Sequence, residues 1–398
     1  MSVAPTSSFK HLFKVALKLN RDKLWMTPHS HGLLPDAYVA AQMYTAHDVL
    51  ALADGKWKRV FQEIIPEAQG RLARLLGSSR PRDIAFAPNT HQFVTQLLSN
   101  HWGQPCRILT TDQEFHSASR QFERLKEISG VEVNRVSVEP FATFNQRLQE
   151  EVRGYDVVYF SHVFFNSGHV VQNLRDLVLG MGSYCGRIVI DGYHAVGAFP
   201  VDDVLKDILD RVYYIGGGYK YLMAGEGACF MSLPANCEDR PVVTGWMADF
   251  GSLEHAVTSP VPYVSGGFRY FGGTFDPMSL YRFNEVWRYL EVDDISVETI
   301  HAHVVRLQDY FLEGLDSLAR RDFGRAHLTH GLREPRANFL CFDLQNAEDI
   351  TNQLEARRVH VDRRGTRLRI GFGLYHDEAD IDRFLNILAQ VVPRYSCP

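Results

Sequence analysis

The sequence has no long apolar run, no block of like charge and no closely spaced cysteine pair. None of its apolar runs approaches the roughly eighteen residues that a membrane-spanning helix needs. A net charge of −5, spread over 398 residues without a basic stripe, indicates neither a nucleic-acid partner nor a membrane partner. The six cysteines are widely spaced, and the N-terminus does not resemble a signal peptide. We therefore expect a cytoplasmic protein with reduced thiols that binds a small molecule.

Short β-rich runs alternate with amphipathic segments through the first half of the chain. The runs are DIAFAP (83–88), RILTT (107–111), VEVNRVSV (131–138), DVVYFSHV (156–163), RIVID (187–191) and VYYIGG (212–217). This alternation predicts βαβ units and a mostly parallel sheet covered by helices on both faces. We expect a large domain over residues 36–290 and a smaller α+β domain formed by residues 1–35 and 291–398.

Two residues follow neighbouring strands of this predicted sheet. Asp191 ends an apolar strand, and Lys220 follows the next strand in the segment GGGYKY. Ligands bind at the carboxyl ends of parallel strands, and a lysine shielded by aromatic rings has a lowered pKa. Either residue alone would more often be a surface Lys after a strand or an Asp in a turn. Together they match what pyridoxal phosphate requires, an Asp beside the pyridinium nitrogen and a Lys that holds the aldehyde.

The segments around these two residues also resemble a known family. DGYHAVG (191–197) and GYKYLMAG (218–225) resemble the D-x-x-H and Y-K-Y-L segments of the class V aminotransferases, which are fold type I pyridoxal phosphate enzymes. The kynureninase branch is the most similar. The resemblance implies pyridoxal 5'-phosphate as the cofactor, a homodimer with shared active sites, and catalytic roles for Lys220 and Asp191. It also implies that His194 lies near the cofactor and that Tyr219 contacts its phosphate.

Further motifs match the same family. They are APNTHQF (87–93), TDQEFHSAS (111–119), SHVFFNSG (161–168), TGWMADFG (244–251) and FGGTFDP (271–277). The resemblance assigns cofactor contacts in them to Asn89, Thr90, His91, Phe115, Asn166, Trp246 and Thr274. Without the resemblance, Thr90 would be an ordinary helix cap and Phe115 a core residue. Thr274 is expected to reach the phosphate from the neighbouring subunit.

Substrate contacts are predicted at two further positions. Arg369 corresponds to the family arginine that grips the substrate α-carboxylate by a bidentate fork, although an Arg on a strand of the small domain is an equal alternative without the family. His31, in the HSH stretch with His29, is a candidate substrate contact. The chain has 17 histidines but no H-E-x-x-H or similar ligand spacing, so we expect no metal.

The motifs narrow the reaction without fixing it. Desulfurase relatives carry a nucleophilic Cys in a loop before the arginine, and EARRVHVDRRGTRLRIG (355–371) has neither the loop nor the Cys. Val94 and GTFDP replace the His and the S-N-P-P loop that kynureninases carry. The sequence therefore predicts an enzyme that acts on the α-amino group of a free amino acid, first of all a class V aminotransferase. A kynureninase-like hydrolase or β-lyase is the alternative, followed by a racemase or epimerase and by a non-catalytic cofactor-binding protein.

Overall fold

The computed structural model describes residues 8–182, 185–252, 260–320 and 322–392; Cys397 lies outside them. The strands are β1 (Leu24–Trp25), β2 (Ile84–Ala87), β3 (Cys106–Thr111), β4 (Val131–Val136), β5 (Val157–Ser161), β6 (Arg187–Asp191), β7 (Val212–Gly216), β8 (Cys229–Ser232), β9 (Phe339–Asp343), β10 (Val359–His360), β11 (Asp362–Arg364) and β12 (Arg367–Gly371). The α-helices are α1 (Lys14–Leu19), α2 (Ala37–Leu52), α3 (Lys56–Arg59), α4 (Ile65–Leu76), α5 (Thr90–Ser99), α6 (His116–Leu125), α7 (Phe144–Glu151), α8 (Leu174–Met181), α9 (Asp202–Leu205), α10 (Met278–Val292), α11 (Val297–Leu318), α12 (Ala347–Glu355) and α13 (Glu378–Val391).

The central sheet has seven strands in the order β2-β8-β7-β6-β5-β3-β4. Strands β4, β3, β5, β6 and β7 run parallel, whereas β8 is antiparallel to both β7 and β2. Every residue of β5 and β7 is buried, as expected where helices cover both faces of a sheet. The predicted α/β fold with a mostly parallel sheet is therefore confirmed.

The strand register places the two predicted catalytic residues at one edge of this sheet. Ser161 at the end of β5 pairs with Asp191 at the end of β6, and Asp191 in turn pairs with Ile215 in β7. Because β7 ends at Gly216, the chain reaches Lys220 just beyond the same edge. This is the position at which open α/β sheets bind their ligands.

A second sheet, with the order β11-β12-β9, belongs to a smaller core that α11, α12 and α13 complete. The N-terminal segment is divided between the two cores. Leu24 and Met26 pack in the smaller core, where β1 pairs in parallel with β10. Leu12 and Phe13 pack in the larger core instead. The domain boundaries at residues 35/36 and 290/291 stay a prediction.

The helices of the smaller core are amphipathic and capped. Helix α11 buries Val304, Leu307 and Phe311 on one face, and the Ser296 side chain accepts a hydrogen bond from the Thr299 N–H at its start. Asp377 caps α13 in the same way. None of the described helices combines the length and the apolar character that crossing a bilayer requires.

Candidate active site

A cavity of about 200 Å³ lies at the carboxyl ends of β5, β6 and β7. Seven of the predicted site residues line it, namely Asn89, Thr90, Phe115, Asp191, His194, Tyr219 and Lys220. They come from four separate segments that the parallel strands bring to one edge. The structure thus brings together residues of the motifs DGYHAVG, GYKYLMAG, APNTHQF and TDQEFHSAS.

Lys220 is buried in this cavity, and its surroundings lower the pKa of its amine. Its Nζ lies 2.7 Å from His194 Nε2 and 4.6 Å from the centroid of the Tyr193 ring. The pKa of Lys220 is lowered to about 7. Burial is the main cause and Arg369 contributes, whereas Asp191 opposes the change. A large share of the amine is therefore uncharged at neutral pH. An uncharged amine is the form that attacks an aldehyde or removes a proton.

Asp191 is held rigidly at the end of β6. Its Oδ1 accepts the Tyr193 N–H at 2.9 Å, and its Oδ2 accepts the Tyr159 hydroxyl at 2.9 Å. Burial raises the pKa of Asp191, whereas these two hydrogen bonds and Lys220 lower it. A carboxylate that is desolvated in this way gains most from a cation placed against it. The pyridinium nitrogen of pyridoxal phosphate is such a cation.

The other groups of the cavity also fit this cofactor. His194 Nδ1 is buried and has no hydrogen-bond partner among the described residues, so it is available to a ligand. Asn89 Oδ1 accepts the Gln92 N–H at 2.9 Å and thereby caps α5, whose N-terminus carries a partial positive charge. The N–H groups of Thr90 and Gly218 converge on Cys229 Sγ at this end of the cavity. A phosphate is favoured where a helix N-terminus and backbone N–H groups converge.

Glycine is required where the backbone passes beneath Lys220. A Cβ on Gly217 would lie 2.3 Å from the Tyr193 ring, and a Cβ on Gly218 would lie 2.7 Å from Ala228 Cβ. Both approaches are far inside van der Waals contact. The glycines at these two positions therefore allow the backbone to approach protein side chains closely.

Arg369 lies at the opposite end of the site, beyond the cavity lining. Its Nη1 donates to the Phe165 carbonyl at 2.7 Å, and its Nη2 pairs with Asp362, which faces it across β11 and β12. Asp362 also pairs with Arg364 at 2.7 Å. Arg369 Nε is buried and has no partner within the described part of the chain. The guanidinium therefore keeps one free donor even with Asp362 bound.

The remaining predicted residues lie outside the cavity lining. His91 and Thr274 are exposed, and the Trp246 side chain is about 39% exposed. Asn166 is half-buried, and its carbonyl accepts hydrogen bonds from Cys341 and Arg367 at 3.4 Å. His31 stacks on Tyr219 at the mouth of the cavity, with ring centroids 4.6 Å apart. Their predicted roles as cofactor or substrate contacts stay predictions.

Three residues of the site were missed in the sequence. Tyr159 and Tyr193 hold Asp191, and Glu114 lies buried beside Ser161. Tyr193 stands two residues after Asp191, a spacing typical of an Asp that accepts a nearby backbone N–H in a turn. Glu114 is adjacent to Phe115, but nothing in its local sequence distinguishes a buried carboxyl from a surface one. Among the described residues, no group of three or more His, Cys, Asp or Glu is placed to hold a metal ion.

A family model described as aminotransferase class-V matches residues 53–384. The chain belongs to this family. Membership in the class V family accounts for the cavity chemistry, and the cofactor is pyridoxal 5'-phosphate. Neither the family match nor the relatives below bear on the kynureninase branch in particular, which stays a prediction.

Two curated relatives are isopenicillin N epimerases. The chain is 30% identical over 173 residues to that of Amycolatopsis lactamdurans, covering 41% of this chain and 42% of the relative. It is 26% identical over 205 residues to that of Streptomyces clavuligerus, covering 45% of this chain and 46% of the relative. The matches thus span less than half the length of these relatives.

Solved structures share the class V fold over nearly the full chain. A complex of the cystine C-S lyase C-DES superposes with a TM-score of 0.78 at 20% identity, covering 95% of this chain and all of that chain. A cysteine desulfurase from Thermococcus onnurineus NA1 gives 0.79 at 17% identity, covering 98% of this chain and 99% of that chain. At these identities the likeness concerns the fold.

Proposed function

We propose that this class V enzyme removes the α-proton of a free amino acid and transfers its amino group to a 2-oxo acid, as an aminotransferase. The observation that supports it best is the buried Lys220 amine, which lies 2.7 Å from His194 and has a pKa near 7. A base with such a pKa is partly deprotonated at neutral pH and can both take and return a proton.

The residues divide the work of this reaction. Bound pyridoxal phosphate supplies the electron sink that stabilises the charge left by the departing α-proton. Asp191 would keep the pyridinium nitrogen of the cofactor positively charged, because a desolvated carboxylate favours a neighbouring cation. Lys220 accepts the proton at Nζ, and His194 hydrogen-bonds to that atom. Arg369 fixes the substrate carboxylate, so the α-carbon is held near Lys220.

The cavity favours proton return by the same amine. Phe115, which the resemblance places against the cofactor ring, has no proton to exchange. Lys220 Nζ lies 5.7 Å from the centroid of that ring. Lys220 and His194 are in contact in this cavity, which Tyr193, Tyr219 and Cys229 also line. A single amine that moved a proton from the substrate α-carbon to the former aldehyde carbon of the cofactor, on the other side of the shared nitrogen, would suit transamination. Kynureninase-like hydrolysis has less support than transamination, because Val94 stands where kynureninases carry a His.

Epimerisation of the α-carbon is the second candidate. It is favoured by the names of the two curated relatives, both isopenicillin N epimerases. It begins with the same proton removal and differs in where the proton returns. Desulfuration through a protein thiol has less support. Cys229, which lines the cavity, is a neutral thiol because burial raises its pKa to about 11.

We also infer that the protein works as a homodimer, with a second copy of this chain as the partner. Large apolar side chains are exposed along α2, among them Met43 and Leu50, at about 70% and 85%. Trp246 and Phe250 are also exposed. Thr274 is exposed and absent from the cavity lining of its own chain, as expected for a residue that serves the neighbouring site.

One experiment separates these reactions. The holoenzyme is incubated with single L-amino acids in deuterated water, and the α-carbon, the products and the cofactor spectrum are followed together. Transamination predicts a 2-oxo acid and the amine form of the cofactor, reversed by adding a 2-oxo acid. Epimerisation predicts the deuterated D-amino acid without a 2-oxo acid, and kynureninase-like hydrolysis predicts anthranilate and alanine from kynurenine. Absence of α-deuterium exchange with every amino acid would contradict the proposal.

A further inference from the structure

His29 is a buried histidine whose ring nitrogens are both unused. It is 1% exposed, and neither Nδ1 nor Nε2 has a hydrogen-bond partner within the described ranges. Other buried histidines are bonded. His162 Nδ1 lies 3.0 Å from the Tyr214 hydroxyl, and His303 Nε2 lies 3.0 Å from the His376 carbonyl. A buried polar group without a partner costs about 1–3 kcal/mol, so this arrangement needs a reason.

The ring of His29 packs against Phe339, a residue that contacts both His194 and Arg369. It stacks on Phe339 with centroids 4.8 Å apart and planes inclined by 24°. The same Phe339 ring lies 5.5 Å from the His194 ring and 5.8 Å from the Arg369 guanidinium carbon. The segment is anchored there because the Gly371 N–H, two residues after Arg369, donates to the Met26 carbonyl at 2.8 Å.

The charges around His29 keep its ring neutral. Burial lowers the pKa of His29 well below its ordinary value, and Arg369, Lys220 and Arg364 lower it further. The nearest carboxylate is Asp362, whose Oδ2 lies 3.8 Å from His29 Nε2, too far for a hydrogen bond. A neutral imidazole has one N–H donor and one acceptor nitrogen. The ring therefore has an N–H donor that no group in the described part of the chain accepts.

A further donor lies beside Arg369. Phe165 and Asp362 each accept one hydrogen bond from its Nη atoms, and Nε is a buried donor without a partner among the described residues. A carboxylate has two oxygens with two lone pairs each, so it can accept from more donors than Nε alone. His29 Nε2 lies 3.8 Å from Asp362 Oδ2, the carboxylate that pairs with Arg369, and so places a second unpaired donor next to this ion pair.

We propose that His29 is a substrate-binding residue that donates from Nε2 to the α-carboxylate held by Arg369. The inference rests on the proposed function, because it takes the substrate to be a free amino acid bound through Arg369. It also assigns the substrate contact predicted in the HSH stretch to His29 instead of His31. His31 is exposed and lies 3.4 Å from Glu226 at the mouth of the cavity, whereas His29 reaches the interior.

Binding of an unreactive carboxylate tests this role without turnover. The probe is propionate, and the readout is the dissociation constant obtained from the rise in the thermal midpoint of the holoenzyme. His29→Phe keeps a ring against Phe339 but removes both nitrogens, so propionate should bind about tenfold more weakly. His29→Gln retains an N–H donor and should recover most of that loss. Methylamine, which has no carboxylate, should distinguish none of the variants.

Stability separates a binding role from a structural one. Because His29 has unpaired buried nitrogens, His29→Phe should leave the midpoint of the ligand-free protein unchanged or raise it. The matched control is His303→Phe, which removes a buried histidine with a hydrogen-bond partner and should lower the midpoint.

The inference is overturned if His29→Phe binds propionate as tightly as the original protein, if it is destabilised as much as His303→Phe, or if propionate does not stabilise the original protein at all. A different result would refute the proposed reaction without refuting the role of His29. Propionate binding that is lost in His29→Phe, in a protein that exchanges no α-proton, would leave the carboxylate site intact and refute only the chemistry.

Discussion

The floor of the cavity, formed by Asp191, His194 and Lys220, differs from an outer group formed by His31, Trp246 and Thr274. The floor residues are at least nine-tenths buried or carry a carboxylate held by two hydrogen bonds. The outer residues are all exposed. Residues at adjacent strand ends are placed by the backbone register of one chain. Residues on long loops depend on what covers those loops, so the role proposed for Trp246 and Thr274 rests on the proposed dimer.

The largest effect is expected from the floor. Lys220→Ala removes the amine that, in the proposed function, binds the cofactor aldehyde and moves the α-proton. We expect the visible absorption band of the lysine-bound cofactor to disappear and turnover to fall at least about 1000-fold. Lys10→Ala is the control, because Lys10 pairs with Asp377 and Asp380 away from the cavity. A Lys220→Ala protein with an unchanged band would remove Lys220 from the site.

Asp191→Asn should have the next largest effect. The amide oxygen still accepts the Tyr193 N–H, so the fold is retained, but the negative charge that we propose to lie beside the cofactor nitrogen is lost. We expect turnover to fall about 100-fold with a nearly unchanged thermal midpoint.

The control is Asp239→Asn, since Asp239 pairs with Arg187 and Tyr213 outside the cavity and should affect stability more than turnover. Near-normal turnover in Asp191→Asn would assign the charge partner to another residue.

The floor residues could be placed from the sequence, whereas residues that depend on contacts between distant segments could not. Asp191 and Lys220 were predictable, because consecutive parallel strands end at one edge and carry their next residues there. The place of His29 beside Arg369 was not. It depends on a contact between Met26 and Gly371, segments far apart in the chain, and no local pattern reports such a contact. The pairing of Arg369 with Asp362 is local, because Gly365 and Thr366 alone join β11 to β12, but it was not predicted from the sequence.

The outer group can be tested by mixing two inactive proteins. A Lys220→Ala chain keeps its outer residues, and a chain with Trp246→Ala and Thr274→Ala keeps its floor. If the outer group serves the neighbouring subunit, co-refolded chains form heterodimers with one complete site. We expect recovery of roughly a quarter of normal turnover, since about half of the dimers are mixed and each has one working site.

The double variant alone tests whether these outer residues matter at all, and its cofactor affinity should be lowered. Lack of recovery on mixing would mean that each site is built within one chain.

The smallest effect on catalysis is expected from Glu114, which lies behind the floor. Its Oε1 accepts the Thr111 hydroxyl at 2.6 Å and the Ser161 N–H at 3.1 Å, and its Oε2 accepts the Ser161 hydroxyl at 2.6 Å. Burial raises the pKa of Glu114 to about 7, and Asp191 adds to the rise while Ser161 and Thr111 oppose it. The folded protein therefore binds one more proton than the unfolded chain between about pH 4.3 and 7.

Folding stability that depends on this proton is present below that window and is lost as the pH rises through it, by up to about 4 kcal/mol. Glu114→Gln imitates the protonated acid and cannot ionise. We expect the free energy of unfolding of the variant, relative to the original protein, to increase between pH 5 and pH 8 in denaturant titrations. Glu123→Gln, at an exposed carboxylate, is the control and should show little change. A difference for Glu114→Gln that does not vary with pH would mean that Glu114 is already ionised in the folded protein, and that the floor tolerates two buried carboxylates beside a single lysine.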